Sequence, residues 1–174
     1  MAASLNALIP ELVPFARALV DLAGRAGLQP RVTSTRRSHA EQTRLYRRFL
    51  AGNQKYPVAP PGSSAHEYGY AFDMVTTAMD PQDLKDLGQV WESWGGVWGG
   101  EFRDPIHFEY PGFSVARTSV DPPSPGFLER LHALTEEHPY LSFLLGFVPY
   151  VGEAEIIAEA AFYGKKFAEY LRGN

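Results

Sequence analysis

The sequence predicts an α+β fold: a small antiparallel sheet with flanking helices, followed by a helical C-terminal extension. Three observations lead there. Short segments at residues 31–35, 70–75 and 107–110 read as strands. Stretches with apolar residues at helical spacing and recognisable start signals lie before and between them. Pro111, Pro122, Pro123 and Pro125 then set off a last stretch that again reads as helical.

Taken in order, Pro10 and Pro14 fit a helix start, and Phe15, Leu19, Leu22 and Ala23 follow at helical spacing. Gly27 stops that helix before the strand over 31–35. Ser38 reads as an N-cap with Glu41 completing a capping box, and the helix it opens runs to about Leu50. Residues 51–64, with Gly52, Pro57, Pro60, Pro61 and Gly62, form a loop. The strand over 70–75 carries Asp73 on one face with Ala71 and Val75. Asp80 caps a further helix that has Pro81 in its first position and runs to about Trp94. Gly95, Gly96, Gly99 and Gly100 punctuate a turn or hairpin around Val97 and Trp98. In the strand over 107–110, His107 and Glu109 share one face, Phe108 and Tyr110 the other. The expected division is a domain over 1–121, a proline-rich linker over 122–126 and a helical extension over 127–174. In that extension Ile156, Ile157, Ala160, Ala161, Phe167, Ala168 and Leu171 form an apolar stripe. The stripe suits packing on the main domain, self-association or docking on a partner, or lying on a membrane surface. The apolar run over 139–151 is too short to span a bilayer.

A chain of 174 residues, 45% hydrophobic and 21% charged, is long enough to bury a core without cross-links. Cysteine is absent, which excludes disulfides, thiolate metal sites and cysteine nucleophiles. The net charge of -4 argues against nucleic acid as a partner. Charge is uneven, with Arg31, Arg36, Arg37, Arg44, Arg47, Arg48 and Lys55 facing only Glu41. Such a stretch is a solvated helix face or attracts an anionic polymer such as a bacterial wall. The first cation is Arg17, beyond Glu11, so the expectation is synthesis in the cytoplasm without a signal peptide.

The chemistry concentrates in His66, Asp73 and His107, with Asp104 three residues before the last of them. Two imidazoles and one carboxylate make a three-ligand zinc set that leaves a position open for water. A second carboxylate close by is what a zinc hydrolase needs as a general base, a part that Asp104 can take. Gly69 lets the chain turn between His66 and Asp73, and small Ala71 keeps bulk off the face carrying Asp73. Two His and one carboxylate also suit a non-haem iron oxygenase, although such sites usually place the first His and the acid two residues apart. Glu109 reads either as an acceptor for the second nitrogen of a metal-bound His or as a solvated edge residue. Trp91, Trp94 and Trp98 read as core or hairpin packing, or as a platform for a ligand. His39, His132 and His138 have no partner motif and read as surface residues.

The run Ser64-Ala65-His66-Glu67-Tyr68-Gly69-Tyr70-Ala71-Phe72-Asp73, followed by Asp104 and His107, resembles the VanY-like and D-alanyl-D-alanine carboxypeptidase family. That family sits in the lysostaphin, D-Ala-D-Ala peptidase and hedgehog superfamily of zinc proteins. Upstream, Thr33-Ser34-Thr35-Arg36-Arg37-Ser38 with Glu41-Gln42 and Leu45-Tyr46 is similar to the family's Ser-Gly-Tyr-Arg-Ser…Gln…Leu-Tyr segment, Thr35 and Arg36 departing from its Gly-Tyr. Residues 56–62 and 104–109 resemble compact phage and prophage members, among them endolysin L-alanyl-D-glutamate endopeptidases. The resemblance covers roughly residues 32–110.

It implies zinc on His66, Asp73 and His107, with Asp104 as base and later proton donor to the leaving amine. Arg37 would polarise the scissile carbonyl or hold a substrate carboxylate, and Ser64 would orient substrate. Gln42 would line the site, or be ordinary polar helix surface. The implied activity is cleavage of the stem peptide of bacterial peptidoglycan, as an endolysin-like endopeptidase or as a D-alanyl-D-alanine carboxypeptidase. Action on the wall would follow phage-type or other non-Sec release. A non-catalytic zinc module for wall recognition is the contrasting class, one against which Asp104 and Arg37 argue.

Overall fold

The computed structural model describes residues 3–110 together with Ser124, Gly126 and Arg130. Apart from Arg130, the expected extension over 127–174 lies outside the described residues, as does most of the linker. A 3-10 turn at Leu5–Ala7 leads into α1 (Val13–Arg25), and β1 (Arg31–Ser34) follows. α2 (His39–Leu50), the one-turn α3 (Ala65–Tyr68) and β2 (Ala71–Val75) come next. α4 (Pro81–Ser93), β3 (Val97–Trp98), a 3-10 turn at Gly99–Phe102 and β4 (His107–Glu109) complete the order. The four strands form one antiparallel sheet in the order β1-β2-β4-β3, so the α+β expectation holds.

The helix starts follow their local signals. The Ser38 hydroxyl accepts from Glu41 N and the Glu41 carboxylate accepts from Ser38 N, both halves of the capping box. Asp80 accepts from the backbone N–H groups of Gln82 and Asp83, with Pro81 opening α4. Strands are shorter than expected: Tyr70 and Tyr110 stand outside β2 and β4, joined by the Tyr110 N–H to the Tyr70 carbonyl at 2.7 Å. The β1–β2 register slips between Val32 and Ser34, and Thr35 leaves the strand with its carbonyl free to turn inward.

Period-two alternation gives the sheet two unlike faces. Val32, Phe72, Met74 and Phe108 enter the hydrophobic core with Phe15, Leu19 and Leu22 of α1 and Leu87, Val90 and Trp91 of α4. Phe72 and Phe108, paired across β2 and β4, stack at 5.3 Å. Trp91 stands edge-on to both and gives its indole N–H to the Glu109 carbonyl at 3.0 Å. The tryptophans are packing residues: Trp91 and Trp94 are buried, and the Trp98 indole N–H is bonded to the Pro105 carbonyl at 2.9 Å. A Cβ on Gly88 would lie 2.1 Å from Trp98, so only glycine lets α4 approach β3. The opposite face carries Asp73, His107 and Glu109, all buried.

Beyond β4, Ser124 donates from its backbone N and its hydroxyl to the buried Asp86 carboxylate of α4, each at 2.6 Å. Arg130 pairs with Asp83 on the same helix. No helix among the described residues is long and apolar enough to cross a membrane.

Candidate metal centre

The β2–β4 register sets Asp73 directly opposite His107. α3 supplies His66 and is closed by Gly69 in the left-handed region at φ 76. A Cβ there would meet Ile9 N at 3.3 Å, so glycine serves both the turn and the close approach.

His66 Nε2, Asp73 Oδ1 and His107 Nδ1 form a triangle with edges of 3.1, 3.2 and 3.2 Å. Ligand atoms on a tetrahedral zinc with bonds of about 2.0–2.1 Å stand about 3.3 Å apart, so the donor set fits that ion. The far nitrogens are held as a metal site requires. The Thr35 carbonyl accepts from His66 Nδ1 at 2.7 Å, which leaves the lone pair on Nε2. The Glu109 carboxylate lies 3.1 Å from His107 Nε2 and leaves the Nδ1 lone pair for the triangle. Glu109 is therefore the acceptor behind a donor His and is not a solvated edge residue.

Protonation in this pocket follows from burial and charge. Burial pushes His66 below its ordinary value, against the pull of Asp73. Burial alone would raise Asp73, but the charges and hydrogen bonds of His66 and His107 hold it well below the usual carboxylate range. For His107, burial disfavours the charge, yet hydrogen bonds to Asp73 and Glu109 outweigh it and raise the group to about 9. Burial, then the charge of Asp73, lifts Asp104 to about 6, with His107 and Arg37 in partial opposition. Its Oδ1 is buried and has no hydrogen-bond partner among the described residues. An orphaned carboxylate oxygen that feels Asp73 and His107 is what a base waiting for a water proton would present. Gly99 positions it, since a Cβ there would lie 2.3 Å from the Asp104 carbonyl and 2.8 Å from His107 Cβ.

The remaining expected site residues take different posts. Arg37, expected to polarise the scissile carbonyl or hold a substrate carboxylate, also reaches the donor triangle from behind. It donates from Nη2 to Asp73 Oδ2 at 2.6 Å, from Nε to Ser34 Oγ at 2.8 Å and from Nη1 to Gln42 Oε1 at 3.2 Å. Gln42 is neither helix surface nor a residue open to substrate: it is fully buried, and its Nε2 donates to the Ala59 carbonyl at 2.8 Å. It ties Arg37 to the loop over 51–64. Ser64 is buried at the N-cap position of α3 and makes no capping bond with its side chain. His39 is exposed but has a partner, Glu67, at 2.9 Å. Thr35 and Ser34 are the contributors that sequence reasoning missed. A backbone carbonyl leaves no sequence signal, whereas Ser34, three residues before Arg37, is a polar residue the motif already contains.

A family model described as VanY, D-alanyl-D-alanine carboxypeptidase, matches residues 6–97, more than half of the chain. The chain belongs to the VanY family. The VanY match contains Arg37, His66 and Asp73 and ends before Asp104 and His107, which the β2–β4 pairing returns to the same place. The family is described as a carboxypeptidase, and in this chain the His66–Asp73–His107 group is positioned to bind a metal. Among the solved structures similar to this chain are three of known chemistry. The LdcB LD-carboxypeptidase, described in terms of peptidoglycan recognition, is 21% identical at a TM-score of 0.48, over 63% of this chain and 61% of that one. VanYB in complex with D-Alanine-D-Alanine is 21% identical at 0.49, over 63% and 74%. A mutant of the vancomycin resistance D,D-pentapeptidase VanY from a VanB-type cassette, in complex with Zn(II), is 20% identical at 0.48, over 63% and 75%. Comparison with curated proteins gives no match.

Proposed function

We propose that the protein is a zinc peptidase of bacterial peptidoglycan that cuts within the stem peptide as an L-alanyl-D-glutamate endopeptidase. The observation that carries the hydrolytic part is the buried His66–Asp73–His107 triangle with the unpartnered Asp104 oxygen beside it. Zinc, when bound, supplies a Lewis acid and lowers the pKa of a coordinated water to about 7. His66 and His107 are oriented toward the ion by Thr35 and Glu109, and Arg37 fixes the Asp73 carboxylate through its other oxygen. Asp104 takes the proton of the attacking water and delivers it to the departing amine. Ser64, at the mouth of α3, orients the substrate.

Arg37 supports an internal cut. Three of its five N–H groups are engaged with Ser34, Gln42 and Asp73, which turns Arg37 toward holding Asp73 more than toward a substrate's terminal carboxylate. The phage-like spelling of residues 56–62 and 104–109 supports the same reading. D-alanyl-D-alanine carboxypeptidase is the second reading, favoured by the description of the matching family. Digestion of purified muropeptides with mass spectrometry of the products separates them. New N-termini at D-glutamate are expected; release of free D-alanine alone establishes the carboxypeptidase.

A further inference from the structure

A groove of about 620 Å³ is lined by Arg36, Arg37, His39, Gly62, Glu67 and Tyr68 among others. Two links tie it to the metal centre. Arg37 lines the groove while its guanidinium holds Asp73 at 2.6 Å. Glu67 and Tyr68 line it while His66, their neighbour on the same turn, belongs to the donor triangle.

The walls are set before any ligand arrives. Gly62 is held on both sides, its N–H by Glu67 Oε2 at 2.7 Å and its carbonyl by the Tyr68 hydroxyl at 2.9 Å. The other Glu67 oxygen is occupied by His39 Nδ1 at 2.9 Å, so this acid is already satisfied. Arg37 is committed as described. Arg36 differs: it is exposed and has no hydrogen bond or ion pair among the described residues. A planar guanidinium with free donors, beside an exposed tyrosine ring, is suited to a carboxylate carried on a peptide.

Resting on the peptidase reading above, we propose that this groove is a substrate subsite in which Arg36 receives a free carboxylate borne within the stem peptide. Arg36 stands where the family pattern has tyrosine, so the preference is a property of this chain's own rim.

The test uses the zinc-loaded full chain and paired muropeptides that differ by carboxylate against carboxamide at one residue. One pair varies D-glutamate, another the diamino acid, a third the C-terminus. Wild type is expected to favour the carboxylate of one internal pair by ~10-fold in kcat/KM, chiefly through KM. Arg36→Gln erases that preference without loss of zinc, and Arg36→Lys restores part of it. A preference that survives Arg36→Gln, or one that follows the terminal carboxylate, overturns the subsite. Calorimetric titration with the same peptides separates the two levels. Arg36-dependent binding without cleavage sinks the peptidase reading and keeps the groove; cleavage with Arg36-independent binding does the reverse.

Discussion

The guanidinium of Arg37 lies 2.6 Å from Oδ2 of Asp73, while Oδ1 of the same carboxylate faces His66 and His107. One oxygen is for the ion, the other for the cation that aims it. Ser34 and Gln42 in turn fix Arg37, so the carboxylate is oriented from two positions behind it.

Arg37→Ala should therefore weaken zinc by about 10–100-fold, the usual loss when a ligand's supporting partner is removed. Competition with a chromophoric chelator measures it. A full zinc affinity with lost hydrolysis would instead place Arg37 on the substrate.

Asp104→Asn should leave fold and zinc content unchanged and lower kcat by roughly 10²–10⁴, the range for a removed general base. Circular dichroism, metal analysis and muropeptide turnover read the three quantities. Loss of metal on this substitution would make Asp104 a ligand and undo its assignment as base.

Zinc affinity should rise with pH. His107 is raised to about 9 in the metal-free pocket and so carries a proton at neutral pH, which the ion must displace. Calorimetry at pH 7.5 in buffers of different ionisation enthalpy should show release of about one proton from the protein on zinc binding. Glu109→Gln removes one of the hydrogen bonds that raises His107, so it should reduce that release at pH 7.5.

Hydrolysis should fall with acidity as Asp104 takes up its proton. The group stands at about 6 because of burial and the charge of Asp73; a bound cation offsets that charge, so the acid limb should lie at or below 6. Asp104→Asn should flatten it. A limb well above 6 in the wild type would contradict the assignment.

Gly88→Ala should destabilise the fold by about 1–3 kcal/mol, the range for overpacking, because its Cβ would fall 2.1 Å from Trp98. The melting temperature measures this, and metal affinity of the folded protein should be unaffected.

Much of the centre was legible because its chemistry sits in side chains at fixed spacing. Asp73 was readable from the strand alternation that sends Phe72 inward, His107 and Glu109 from their shared strand face, and Ser38–Glu41 from the capping pattern. What escaped depends on where chains meet. Gln42 reads as helix surface because it is a polar residue among the charged residues of α2, and it is buried where it bonds to Arg37 and to the Ala59 carbonyl of the 51–64 loop. Arg37 was legible as a site residue, but its bond to Asp73 depends on where β1 and β2 meet, which no residue type announces. Thr35 contributes through a backbone carbonyl, which carries no sequence mark.

Gln42 joins Ala59 to Arg37, and Arg37 reaches Asp73, so a proline-studded stretch and an ion ligand share one short tether. Whatever pushes on that stretch pulls on the ion's grip.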